Sequence, residues 1–257
     1  MSAVVAVIST RGGAWRRIVL GGGRGNLLSL ELIRALGEAI HGLESEPGIK
    51  WVTLEGTGGE FSYGARIQEH TPELMQTVLP ETHRIIKRLL ALPAPTASLV
   101  EGRCFGGGFE LALACDDIIA TDNATFGLPE IRLAAFAPAA AALLPLRVGA
   151  SRATRAIVTG QIQGAQYWHD AGLLSMVAPQ SSLIDAAGAW FDTHLAPHSA
   201  AALSHAVLAA RLTTRAQAEP ALDAAERDYL GGLLKTADAT EGVQAWLEKR
   251  PPNWKNQ

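Results

Sequence analysis

The sequence predicts an α/β fold of parallel strands joined by crossover helices, followed by an all-helical C-terminal stretch. Three observations carry this. β-rich runs alternate with helical periodicity through the first half. From about Ser151 strand signals stop, and every run with a clear pattern reads as a helix. Hydrophobic residues make up 48% of the 257 residues and charged ones 18%, enough to build a core without disulfides.

The elements follow in order. Val4 to Ser9 and Trp15 to Leu20 flank Arg11-Gly12-Gly13 as a hairpin. The Gly-rich turn Gly21 to Gly25 leads to a helix capped by Ser29, with Leu32, Leu36, Ala39 and Ile40 inward. Ile49 to Gly56 is a strand, and Thr71 to Pro93 a helix that Pro80 breaks or kinks. Thr96 to Gly102 and Asp117 to Thr121 are strands on either side of a helix opened by Gly106-Gly107-Gly108. A boundary is expected between an α/β part, residues 1–195, and a helical part, residues 196–257. The last seven residues read as an irregular end.

Composition excludes several classes. There are 22 basic and 25 acidic residues, and no basic stripe to track a nucleic acid. Cys104 and Cys115 form no CxxC pair, so buried reduced thiols are expected rather than a zinc site. The first apolar run, Ala3 to Ile8, lacks the length and basic flank of a signal peptide. The longest, Leu133 to Leu146, holds two prolines and falls short of the ~20 residues of a membrane span. A cytoplasmic protein without membrane, metal or nucleic-acid partner is expected.

Several motifs are absent. Neither P-loop nor dinucleotide spacing is met at Gly21 to Gly25, because Asn26, Leu27 and Leu28 stand where Lys-Ser/Thr or Gly is needed. That loop is either a tight turn or a ligand contact. No G-x-S-x-G nucleophile elbow occurs, and the seven His residues show no metal-ligand spacing.

The informative stretch is "VEGRCFGGGFELALACDD", Val100 to Asp117. Glycines at a helix start leave N–H groups unpaired and unshielded, as an oxyanion hole requires. Glu110 sits one turn in among apolar neighbours, and Glu130 follows Pro129 in "FGLPEIRL". Two carboxyl groups in dry surroundings can divide acid and base work on one water. The alternative is structural: Glu110 caps its helix and Glu130 pairs with a surface Arg.

Over nearly its whole length the chain resembles the crotonase (enoyl-CoA hydratase/isomerase) superfamily. The matching pieces are "GNLLSLELIRAL", "FSYGARIQEH", "VEGRCFGGGFELALACDDIIATDNATFGLPEI" and "EGVQAWLEKRPPNWKNQ". The resemblance implies a spiral of ββα units, a C-terminal helical part that forms trimers or dimers of trimers, and an acyl-CoA thioester substrate. It implies no cofactor beyond the coenzyme A carried by the substrate. Oxyanion donors would be the N–H groups of Ala65 and Gly107, and Glu110 with Glu130 would be the hydratase carboxyls. Arg24, Arg66, Ile67 and Gln68 would cradle the coenzyme A. Departures are Arg66 where the family has Asp, Tyr63 where it has a small residue, and "LAAFAPAAAALLPLRVG" where it is glycine-rich. Tyr63, Leu133 and Phe136 would then wall a wide aromatic acyl pocket. This set most resembles the cyclohexa-1,5-diene-1-carbonyl-CoA hydratases of aromatic compound degradation. An ordinary 2-enoyl-CoA hydratase, a double-bond isomerase and a non-catalytic acyl-CoA-binding homologue are the rival expectations.

Overall fold

The computed structural model describes residues 4–21 and 23–257. Ala3 of the first apolar run and Gly22 of the Gly-rich turn lie outside the described residues. The chain opens as an antiparallel hairpin of β1 (Val5–Thr10) and β2 (Trp15–Leu20). Then come α1 (Leu30–Leu43), β3 (Trp51–Gly56), α2 (Pro72–Ala91), β4 (Thr96–Val100) and β5 (Arg103–Phe105). After these come α3 (Gly107–Leu113), β6 (Asp117–Thr121) and β7 (Thr125–Gly127). The main sheet has the order β1-β2-β3-β4-β6 and ends on β9 (Met176–Ala178); all pairings after the hairpin are parallel. A second sheet pairs β5, β7 and β8 (Gln163–Gly164).

The remaining helices are α4 (Pro138–Val148), α5 (Ala150–Thr159), α6 (Ala165–Asp170), α7 (Leu183–His194), α8 (Ala200–Ala210), α9 (Leu212–Gly231) and α10 (Ala237–Leu247). Ser29 caps α1 by accepting the Leu32 N–H, as its sequence position predicts. Two expectations are corrected. Strands do not stop at Ser151, because β8 and β9 follow it; at two and three residues they are too short to show an alternating pattern. Of the two readings of Pro80, the break is the one overturned: α2 runs from Pro72 to Ala91 as one helix with Pro80 inside it, anchored by its buried face, Met75 to Leu90.

Parallel strands are covered on both faces, which explains their near-continuous apolar runs. Alternation then divides the side chains. Ile18, Leu20, Val52, Leu54 and Val100 join the large core under α1, α2 and α3. Trp15, Trp51, Ala97 and Leu99 point the other way, onto Phe191 and Ala187 of α7. The Trp15 and Trp51 rings lie 5.0 Å apart. The helical C-terminal stretch also enters the main core, through Ala218, Leu222 and Tyr229 of α9. Residues 251–257 are irregular but tied down, with the Lys255 and Asn256 N–H groups donating to Asp238. Cys104 and Cys115 are buried and unbridged. Among the described residues no helix is long and apolar enough to cross a membrane.

Candidate active site

Residues 61–66 run between the Gly-rich turn and β5 and are held from both sides. Toward the turn, the Tyr63 N–H donates to Gly25 O (2.8 Å) and the Leu28 N–H to Gly64 O (2.9 Å). Toward β5, the Ser62 N–H donates to Arg103 O (3.0 Å) and the Phe105 N–H to Ser62 O (2.9 Å). Asn26, fully buried, fastens the turn by donating to the carbonyls of Thr57, Glu60 and Phe61. For its Asn26 end, the Gly-rich turn is therefore a structural clamp.

Gly64 has φ +88°, and a Cβ there would lie 2.7 Å from Phe105 O and 3.2 Å from the Gly107 nitrogen. Only glycine lets the segment come this close. The approach sets the Ala65 N–H beside the Gly107 N–H, since a Cβ on Gly107 would sit 3.7 Å from the Ala65 nitrogen. Among the described residues neither N–H donates to a protein group. The site thus offers two adjacent, unspent donors.

Glu110 is buried on α3. It does not cap its own helix. Its Oε1 accepts the N–H groups of Ala139 (2.7 Å) and Ala140 (3.0 Å), at the start of α4. Burial pushes its carboxyl up to about 7, against the opposing pull of those two donors. Glu130 lies in a 3₁₀ turn, Pro129–Leu133. Its Oε2 is buried without a hydrogen-bond partner, and among the described residues it forms no ion pair with an Arg. Burial, with the nearby charge of Glu110 as a second cause, pushes it up to about 8. Gly106 (φ +51°) makes room for it, because a Cβ there would meet Glu130 Oε1 at 2.3 Å. The structural alternative for these two residues therefore fails in both halves.

An inner cavity is lined by Ala65, Gly107, Glu110, Glu130, Phe136 and Tyr229, with Leu28, Met75 and Val78 as apolar wall. An outer cleft lined by Tyr63, Ile67, Leu133 and Trp246 shares Ala65, His70 and Glu130 with it. The sequence leads one to expect Tyr63, Leu133 and Phe136 in one wall; the structure separates them. Phe136 lines the inner cavity, while Tyr63 and Leu133 line the cleft. The Tyr63 ring stacks under Gly25, and its hydroxyl donates to Glu60 (2.8 Å) and accepts from Arg103 (2.5 Å), which fixes it at the mouth. Arg24, Arg66 and Gln68 are exposed and line neither space.

Of the lining residues that sequence reasoning does not assign to the site, three carry polar or aromatic groups into it from unexpected places. His70 joins cavity and cleft, and desolvation lowers its pKa. Tyr229 comes from α9 and packs edge-on against Phe136 at 5.4 Å. Trp246 comes from α10, whose Gly242 packs against Leu133. The last two arrive from a distant stretch; Tyr229 carries no local signal, and Trp246 stands in the matching C-terminal piece without a pattern that points it at the site. No group of three His, Cys, Asp or Glu side chains able to hold a metal occurs among the described residues.

A family model described as enoyl-CoA hydratase/isomerase matches residues 23–257. The chain is 38% identical over 247 residues to a cyclohexa-1,5-dienecarbonyl-CoA hydratase of Thauera aromatica, covering 96% of this chain and 95% of that one. It is 32% identical to a 2,3-dehydroadipyl-CoA hydratase of Escherichia coli K12, over 90% of each chain. A crystal structure of an enoyl-CoA hydratase from Mycobacterium avium subsp. paratuberculosis superimposes with TM-score 0.86 at 28% identity, covering 98% of this chain and 99% of that one. A family match over almost the full chain, on a shared fold, means that this protein belongs to the enoyl-CoA hydratase/isomerase family.

Proposed function

We propose that this protein is a hydro-lyase that adds water to a conjugated acyl-CoA thioester, using Glu110 and Glu130 on one water. The observation that carries this reading is the placement of two desolvated carboxyl groups in one cavity with two unspent N–H donors. The thioester oxygen would accept from Ala65 and Gly107, whose donors meet the enolate charge as it develops. Glu110, whose ionised form the Ala139 and Ala140 N–H groups support, takes a proton from water. The water oxygen bonds the carbon β to the thioester, and the π pair moves toward the held oxygen. Glu130, still protonated near neutral pH, gives its proton to carbon. In a simple enoyl chain that carbon is the α-carbon; in a cyclic 1,5-diene it is the far end of the diene.

For the acyl group we infer a six-membered dienoyl ring, cyclohexa-1,5-diene-1-carbonyl-CoA, giving the 6-hydroxycyclohex-1-ene thioester. The similarity to the Thauera protein and the aromatic pair Phe136–Tyr229 in the cavity support it. Assembly as a trimer or hexamer belongs to the same reading. It is supported by α8, Ala- and Leu-rich yet without a buried residue in the single chain, and by exposed Val158, Ile162 and Leu212. The test is turnover of crotonyl-CoA, cyclohex-1-enoyl-CoA and cyclohexa-1,5-dienoyl-CoA by the purified protein. Hydration of the dienoyl ring is expected; binding of all three with no turnover would contradict the reading.

A further inference from the structure

Two unmatched polar atoms share the inner cavity. One is Glu130 Oε2, a buried acceptor with no donor. The other is the Tyr229 hydroxyl, a donor with no protein partner among the described residues, on a residue 2% exposed that lines the same cavity. A buried carboxylate without a donor is costly, and that cost arises when Glu130 surrenders its proton. We propose that Tyr229 is a positioning residue for Glu130: its phenol donates to the Glu130 carboxylate as that group ionises, directly or through the reacting water. It thereby stabilises the charge that appears on Glu130 when the proton leaves for carbon.

The surroundings support this choice. Ionisable groups facing Glu130 are Glu110 from α3, Tyr229 from α9, His70 from the segment before α2, and Arg132 of its own turn. Glu110 is already bound to the α4 N–H groups. His70 is engaged with Arg66 O at 3.3 Å, and Arg132 donates to Gly160 O at 3.3 Å. Arg132 keeps further guanidinium N–H groups, but it is exposed and lines only the outer cleft; among the ionisable groups of the inner cavity, Tyr229 alone has a free donor. Its ring is fixed edge-on by Phe136, which limits the positions its hydroxyl can take. Burial, and after it the charges of Glu130 and Glu110, oppose ionisation of the phenol, so it stays a donor while they titrate.

This inference rests on the reading of Glu130 as a working acid, so its test needs a readout independent of turnover. In protein carrying ¹³C-labelled Glu side chains, the Glu130 carboxyl is assigned as the resonance missing from Glu130→Gln. Its titration midpoint is then compared in wild type and Tyr229→Phe, which keeps the ring against Phe136. Loss of a donor to the charged form should raise the midpoint, by roughly half a pH unit or more. In turnover, kcat should fall roughly tenfold with KM nearly unchanged, as for a lost transition-state contact. If Tyr229→Phe fails to fold, 3-fluorotyrosine at position 229, a stronger donor, should lower the midpoint instead. A midpoint unmoved in a folded variant overturns the proposal. A midpoint that moves in a protein with no hydratase turnover upholds this hydrogen bond and overturns the proposed function alone.

Discussion

The Glu110 carboxylate caps a helix that begins 28 residues after it, accepting the Ala139 and Ala140 N–H groups at 2.7 and 3.0 Å. One residue is therefore both proposed base and cap of α4. The cap aims Oε1 away from the cavity chemistry and leaves Oε2 toward Gly107. Glu110→Gln keeps a carbonyl acceptor for α4 but not the base, so turnover should fall by about 10²-fold or more while the fold holds. Glu110→Ala should in addition cost about 1 kcal/mol of stability through the lost cap. Kinetics and urea unfolding of the two variants separate these roles; equal stability of both would remove the cap.

Glu130 predicts a pH-dependent stability. Its folded carboxyl stands near 8, against an ordinary value of 4.5, so the folded chain holds a proton that the unfolded chain has lost between those pH values. Stability therefore falls as pH rises from about 5 to 8, and Glu110 adds to the same trend. Glu130→Gln carries no such proton. Relative to wild type it should gain on the order of 2 kcal/mol at pH 8 over pH 5, read from unfolding at both. Parallel pH profiles for the two proteins would show that burial does not raise Glu130.

The glycine pair gives a sharper steric test. A Cβ at Gly106 meets Glu130 Oε1 at 2.3 Å, and the backbone there has φ +51°. Gly106→Ala should displace Glu130 and lower kcat by about 10²-fold, with a smaller change in KM. Gly107→Pro deletes the N–H proposed for the thioester oxygen and should abolish activity. Thioester turnover by either variant at the wild-type rate would dismiss that corner as the reacting centre.

Ring preference follows from Phe136 and Tyr229. Two or three more buried carbons at about 0.8 kcal/mol each give about 2 kcal/mol, a factor of roughly 30 in kcat/KM for the dienoyl ring over crotonyl-CoA. Phe136→Ala should erase most of that factor. A ratio at or below one in wild type would return the protein to ordinary enoyl-CoA hydratases.

Much of the fold was legible because local rules decide it. The Trp15–Leu20 and Asp117–Thr121 strands and the Ser29 cap follow from β-branched runs and a capping side chain. β5, β7, β8 and β9, of two or three residues, are fixed by their partners in the sheet and leave no periodic trace. At the site, Glu110, Glu130, Ala65 and Gly107 do meet around one cavity. Their partners were not readable. The Ala139–Ala140 donors, Tyr229 and Trp246 reach the site only through the packing of α4, α9 and α10. Tyr63 was misplaced because its hydroxyl is drawn to Glu60 and Arg103, a pair that no spacing rule brings together.

The most direct test of the two-carboxyl hydratase is incubation with cyclohexa-1,5-dienoyl-CoA in ¹⁸O-labelled water, followed by mass analysis of the thioester product. A hydroxylated product carrying one ¹⁸O is expected from wild type, with formation slowed about 10²-fold or more in both Glu110→Gln and Glu130→Gln. An unlabelled product of unchanged mass would mean that the double bond has only moved. Labelled product at an undiminished rate from either variant would equally contradict the account.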